Sequence, residues 1–246
     1  MGQCIAVVSG KGGTGKTSFT AGVGAALAQD GKQVLCIDCD IRLRNLDLTL
    51  GLTDRALMDF SDVALGRCSL DSAVVGHPNL PGLYLLTAPV RIWGRGVAEE
   101  EMRSMLSEVR RKYDYCLLDA PAGLGEGFQL ATSSADRCVV VTTSDAASLR
   151  DAQHTVMELS WIRQIQLVVN RVRKKMLRSM HATIDDAMDK AGLPLLGVVP
   201  EDDALPLAQN RGVPLPLSDW SCPAATAYRN IAARLQGRKT PLLRIR

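Results

Sequence analysis

The chain has 246 residues, 46% of them hydrophobic and 22% charged, with a net charge of +3; that suits one α/β domain or two small ones around a sizeable core, and the charge alone names no partner. Aromatic residues make up only 4%, which argues against a base-stacking nucleic-acid platform. No apolar run reaches the roughly 18 residues of a membrane span, the N-terminus lacks a signal-peptide layout, and seven cysteines, several in apolar runs, read as reduced thiols of a cytoplasmic protein.

Apolar, β-rich runs alternate with helix-like segments along the chain. A first strand, residues 4–9, runs into the stretch SGKGGTGKTS, and a helix over residues 17–29 follows. A second strand, 33–38, ends in CIDCD, which sets Asp38 and Asp40 just past it. A strand over 83–87 and a helix over 97–112 lead to YCLLDAPAG, whose strand, 115–119, ends on Asp119. Then come a strand over 138–143, a helix over 146–159, a strand over 166–170, a helix over 179–191, a strand over 195–199 and a last helix over 223–235. Several strands are apolar on consecutive residues, as strands covered on both faces are. The alternation predicts an α/β fold, a mostly parallel twisted sheet with helices on both faces. It forms a single domain over residues 1–236, followed by a basic, apolar-tipped tail over 237–246. Ligands of such sheets bind at the carboxyl ends of the strands, so chemistry is expected just after each strand.

Gly10, Gly15, Lys16 and Thr17 match G-x-x-x-x-G-K-[ST] between a strand and a helix, the context that makes this pattern a phosphate-binding loop of a P-loop NTPase. Lys11, Gly12, Gly13, Thr14 and Ser18 complete the stretch. Glycines let the backbone curl so that N–H groups point at phosphate oxygens, and the helix N-terminus adds partial positive charge. Lys16 would reach the β- and γ-phosphates, and the Thr17 hydroxyl would hold Mg²⁺. Asp119 stands where a Walker-B acid completes the metal shell through water. Alone, Asp38, Asp40 or Asp119 reads equally well as a cap or turn residue. Together, at one strand-end edge beside a phosphate loop, they favour nucleotide and metal. Lys11 is not required by that loop.

KGGTGKT, with the additional Lys11, resembles the deviant Walker A motif of the MinD/ParA ATPases. DCDIRLRNLDLTLGL resembles the MinD branch of that family, and DAPAGLG is similar to its switch II. VNR (169–171) and GVVPEDDALPLAQNRGVP (197–214) are similar to its adenine-side segments. The resemblance implies a Mg²⁺-dependent ATPase that dimerises around ATP and returns to monomer on hydrolysis to ADP. Lys11 then crosses to phosphate in the other subunit, and the residue matching Asp40 orients the attacking water. Asp38 and Asp119 serve the metal shell, directly or through water. Asn170 reads the adenine edge, with Arg171, Pro200, Glu201 and Asp202 lining its pocket. It also implies peripheral attachment to the inner face of the cell membrane and placement of the bacterial division septum through a division-ring inhibitor (MinC-like). In some organisms a topological factor (MinE-like) stimulates hydrolysis. A DNA-partitioning ATPase of the ParA branch, or a flagellar-number regulator, stays open as the alternative.

From residue 220 onward there are six basic residues, Arg229, Arg234, Arg238, Lys239, Arg244 and Arg246, and no acidic one, with Leu242, Leu243 and Ile245 interleaved. Such an end suits an anionic membrane surface at about 1 kcal/mol per basic residue; a last core helix with a frayed end is the plainer reading. The tail is shorter than the family's best-known ones, and Pro241 interrupts any long helix. NRVRKKMLR carries Arg171, Arg173, Lys174, Lys175 and Arg178, a solvated loop or a DNA-facing surface. Cys36 and Cys39 form C-x-x-C without the second pair that zinc needs. His77, His154 and His181 are dispersed, and Tyr228 alone does not make an autokinase tail.

Overall fold

Runs that are apolar on successive residues need cover on both faces, and the strands receive it. In a computed structural model, which describes residues 1–41, 43–90 and 95–243, eight strands form one sheet: β1 (Gln3–Val8), β2 (Val34–Asp38), β3 (Val75–Gly76), β4 (Leu83–Leu86), β5 (Tyr115–Asp119), β6 (Arg137–Thr142), β7 (Ile165–Val172) and β8 (Leu195–Pro200). Their order is β3-β4-β2-β5-β1-β6-β7-β8. Neighbours are parallel except β3, which runs against β4. The seven expected strands are present, within two residues at each end. β3 is additional, and two residues carry no pattern to read.

The helices are α1 (Lys16–Gln29), α2 (Leu46–Thr49), α3 (Phe60–Ala64), α4 (Leu70–Ala73), α5 (Glu99–Lys112), α6 (Glu126–Thr132), α7 (Ala146–Met157), α8 (Lys174–Ser179), α9 (Ile184–Ala191), α10 (Ala204–Asn210), α11 (Leu215–Ser218) and α12 (Pro223–Leu235). The helix expected over 179–191 is interrupted. His181 takes a left-handed φ of 49°. Thr183 then caps α9, its hydroxyl accepting from the Asp186 N–H at 3.1 Å while the Asp186 carboxylate accepts from the Thr183 N–H at 2.7 Å. This reciprocal cap overrides the continuous helical pattern. α2, α3, α4, α6, α10 and α11 are too short to show periodicity.

Side chains of β1 alternate between two cores. Ile5 and Val7 join the layer under α1 and α12, while Cys4, Ala6 and Val8 join the layer under α5, α7 and α9. Helix α1 is buried along most of its length, so it needs small residues rather than an apolar stripe. Gly22 shows why: a Cβ there would lie 2.4 Å from the Tyr228 ring of α12. This close seating sets the N-terminus of α1 over the carboxyl edge of the sheet.

Residues after α12 fold back on the body. Arg234 donates to the carbonyls of Thr240 at 3.0 Å, Pro241 at 2.7 Å and Leu196 of β8 at 2.8 Å. Arg238 pairs with Asp30 at the end of α1, and Leu243 packs against the α1–α12 core. Arg244, Ile245 and Arg246, expected in a membrane-binding tail, lie outside the described residues. No helix of the described residues is long and apolar enough to cross a membrane.

Tyr228 is fully buried, and its hydroxyl has no hydrogen-bond partner among the described residues. Tyr228→Ala should cost about 3–5 kcal/mol of unfolding free energy. Tyr228→Phe, which removes only the unpaired hydroxyl, should be neutral or stabilising by about 1 kcal/mol. Urea denaturation of the two variants checks both signs.

Candidate functional site

Strand register assembles the acids. Asp38 of β2 and Asp119 of β5 are direct partners across the sheet, and Val7 of β1 sits beside Asp119 on its other side. The loop that leaves β1 therefore arches over two buried carboxylates. Asp119 accepts from the hydroxyls of Thr17 at 2.7 Å and Thr20 at 3.3 Å. Asp38 accepts from the N–H groups of Asp40 at 2.8 Å and Leu46 at 3.1 Å. Asp40 is half-buried and accepts from the Leu43 N–H at 3.2 Å. Burial, reinforced by the facing Asp119, pushes the Asp38 carboxyl up to about 7 against the pull of its two N–H donors. Burial pushes Asp119 up to about 6, against the Thr17 hydroxyl and the Lys16 charge.

Lys16 is 8% exposed. Its Nζ donates to Ser9 Oγ at 2.7 Å, and that hydroxyl donates onward to the Lys11 carbonyl at 2.7 Å. Burial lowers the Lys16 pKa, and the charges of Asp119 and Asp40 work against it. The Lys11 side chain turns outward and pairs with Asp145, at the start of α7, at 3.2 Å. Burial opposes ionisation of Asp145, but bonds from Thr143, Ser148 and Lys11 hold its carboxyl well below the usual range. Reaching a second subunit would require Lys11 to leave Asp145. The pair is about 40% exposed on each side, so its opening costs little.

The adenine-side residues converge on the same loop. Gly15 begins α1 with φ 89°, and a Cβ there would meet Asn170 Nδ2 at 2.4 Å. Asn170, at the end of β7, donates from Nδ2 to the Thr14 carbonyl at 2.8 Å. Arg171 donates to the Gly13 carbonyl at 3.2 Å and to Glu201 at 3.3 Å, and Glu201 also pairs with Arg173. Pro200 ends β8, and Asp202 accepts from the N–H groups of Ala204 and Ala224. Gln209 of α10 donates to Ser18 Oγ at 2.8 Å. A cleft of about 400 Å³ opens between Lys11, Gly12, Gly13, Asp145, Arg171 and Glu201.

These groups fit a metal-bound polyphosphate. Thr14 Oγ1 and Asn170 Oδ1 are buried without partners among the described residues. No described residue accepts from the N–H of Thr14 or Gly15. One hydroxyl, one buried acid behind it and a buried ammonium match a Mg²⁺ that keeps waters and phosphate oxygens as its remaining ligands. Among the described residues no group of three or more His, Cys, Asp or Glu could hold a metal by itself. Cys36 and Cys39 are buried, and burial pushes both thiols up, which disfavours the thiolates that zinc takes. Sequence reasoning did not single out Ser9, Thr20, Asp145 or Gln209. Thr20 stands one helical turn beyond Thr17, and Asp145 sits at a strand-to-helix junction, so both carried a signal. Gln209 carried none, because its partner is 191 positions away.

The CobQ/CobB/MinD/ParA nucleotide binding domain matches residues 5–215. The chain is 39% identical over 246 residues to a septum site-determining protein MinD of Synechocystis, covering 99% of this chain and 92% of the relative. The fold is similar to that in a MinC:MinD cell division protein complex of Aquifex aeolicus, with a TM-score of 0.91, 37% identity and 99% coverage of both chains. It is also similar to a septum site-determining MinD of Pyrococcus horikoshii complexed with Mg-ADP, with a TM-score of 0.85, 30% identity and 96% coverage of both.

Because Asp38 and Asp119 are raised in the folded chain, their contribution to stability is complete below about pH 4, the unfolded carboxylate value, and is lost as pH rises through about 6 to 7. Asp119→Asn should therefore raise the thermal midpoint of the nucleotide-free protein at pH 8 more than at pH 5. Thermal melts at the two values, with Mg²⁺ and nucleotide omitted, check this.

Proposed function

This chain belongs to the CobQ/CobB/MinD/ParA nucleotide-binding family, and from that premise we propose that it is a MinD-type ATPase that helps place the division septum. The observation that carries the reading is the Ser9–Lys16–Thr17–Asp119 cluster, set under a glycine loop at the N-terminus of α1. Bound Mg²⁺ would supply concentrated positive charge at the leaving phosphate oxygens. The chain's own residues do the rest. Lys16 neutralises phosphate charge, Thr17 and Asp119 fix the metal, with Asp38 as the neighbouring acid, and Asp40 orients water at the loop's open side. The base falls to the side walled by Arg171, Pro200, Glu201 and Asp202.

In this reading ATP joins two copies of the chain, with Lys11 released from Asp145 to reach the partner's phosphates. The dimer binds an anionic membrane surface through residues 237–246 and recruits a MinC-like inhibitor, and hydrolysis, with or without a MinE-like stimulator, returns it to monomer. The Aquifex complex supports the inhibitor, and the Pyrococcus Mg-ADP complex supports the cofactor. A ParA-like role on DNA has one observation in its favour: α8 exposes Lys174 and Lys175 and buries no residue.

Lys16→Ala should lower phosphate release about a hundredfold or more. Lys11→Ala should keep ATP binding yet stay monomeric in light scattering with ATP. Vesicles containing phosphatidylglycerol should pellet the protein with ATP and not with ADP, and deletion of residues 237–246 should end that difference. Equal pelleting in both nucleotides, or salt-sensitive binding to duplex DNA in place of vesicles, would move the reading to the ParA branch.

A further inference from the structure

A threonine buried inside a helix can settle its hydroxyl on the carbonyl one turn earlier. Thr49, Thr132 and Thr155, buried in α2, α6 and α7, all do so. They donate to the carbonyls of Asn45, Phe128 and Asp151, each at 2.8 Å. Thr20 of α1 departs from this habit. It is buried as deeply, yet its hydroxyl leaves the helix and donates to Asp119 Oδ1 at the end of β5 at 3.3 Å, across 99 positions of sequence.

The Asp119 carboxylate is thereby shared between two turns of one helix. Oδ2 accepts from Thr17 at 2.7 Å, and Oδ1 accepts from Thr20. The two hydroxyls face different duties. Thr17 stands where a Mg²⁺ ligand is expected, so its oxygen would gain the metal as a partner. Thr20 lies one turn deeper, closed from solvent, and its bond to the acid needs no ligand. The terminal torsion of an aspartate is soft, so a carboxylate held at one oxygen can turn, whereas one held at both must break a bond to do so. The seating of α1 serves the same contact. Gly24, four residues beyond Thr20 and on the same helix face, would place a Cβ 2.7 Å from Cys36 Sγ of β2. The missing side chain lets this face lie close against the sheet, which brings a short threonine within reach of Asp119.

We propose that Thr20 is a positioning residue of the metal site, pinning one oxygen of Asp119 from behind so that the other stays beside the Thr17 hydroxyl. The proposal rests on the nucleotide-site reading above and adds to it a residue that touches neither nucleotide nor metal.

The test measures the affinity of the full chain for a fluorescent ADP analogue, in EDTA and across a Mg²⁺ titration; ADP keeps dimerisation out of the readout. Mg²⁺ should tighten binding to the unaltered chain. Thr20→Val, which keeps the shape and removes the hydroxyl, should raise the Mg²⁺ concentration for half-maximal tightening roughly tenfold, with affinity in EDTA unchanged. Thr20→Ser, which restores the hydroxyl, should recover most of the loss. Thr132→Val removes a buried helix hydroxyl away from the site and should leave the Mg²⁺ requirement where it was. Should Thr20→Val fail to fold, Thr20→Ala set against Thr20→Ser gives the same comparison. Equal weakening in Mg²⁺ and in EDTA would show a merely structural role and overturn the proposal. An unchanged Mg²⁺ requirement without the hydroxyl would overturn it as well. An unaltered chain whose affinity for the analogue ignores Mg²⁺ would bring down the metal-site reading itself, a result visible before any variant is made.

Discussion

The Lys16 ammonium is held out of water in the fields of Asp119 and Asp40, with Ser9 as its hydrogen-bond partner. A charge so placed is tolerable only while opposite charge and polar partners stay fixed around it. The parallel sheet does the fixing. Register sets Asp38 beside Asp119, and the small residues of α1 let that helix settle until Thr17 and Thr20 reach the Asp119 carboxylate. The layers of the fold thus serve one corner at the carboxyl edge of β1, β2 and β5. Two buried acids share that corner with the one buried ammonium, and burial first, then the neighbouring carboxylates, raises their pKa values. Any ligand that brings positive charge to the corner opposes that rise.

The loop above this corner is tied at several points. The Ser9 hydroxyl links the side chain of one loop lysine, Lys16, to the backbone of the other, Lys11. Asn170 and Arg171 hold the loop's far limb, and Gln209 ties α10 to the first turn of α1. A glycine-rich turn has large conformational freedom to lose. Side chains from β7 remove much of that freedom before a ligand arrives, and preorganisation of this kind is where binding energy is otherwise spent.

The sequence made the sheet and the phosphate loop legible for separate reasons. Strands such as YCLLD and CVVVT are apolar without interruption and bounded by turn residues, and a fixed motif joins β1 to α1. The acids were found because each follows a strand. What stayed hidden depends on contacts between distant positions. Ser9 reads as the last residue of a strand until its hydroxyl is seen between two lysines. Asn170 and Arg171 were assigned to the adenine by resemblance, and only their distances to Thr14 and Gly13 reveal a grip on the loop. The division of α8 from α9 was available locally, in T-I-D-D, but a cap is easily lost inside a longer helical pattern. Leu243, an apolar tip in the sequence, turns out to lie against the core through bonds that Arg234 and Arg238 make with residues it could not have named.

A sheet in this order has two outer strands, and an unpaired strand edge invites any extended chain to add to it. One edge here is β3, two residues long and opposed in direction to its neighbour. At the other, Arg234 already occupies the Leu196 carbonyl of β8. The β3 edge is too short to offer a run of unpaired backbone, and at β8 Arg234 withholds one acceptor, so strand-to-strand addition of further copies is hindered at both ends. Crowding is thereby left to act through side-chain surfaces, where contacts are reversible.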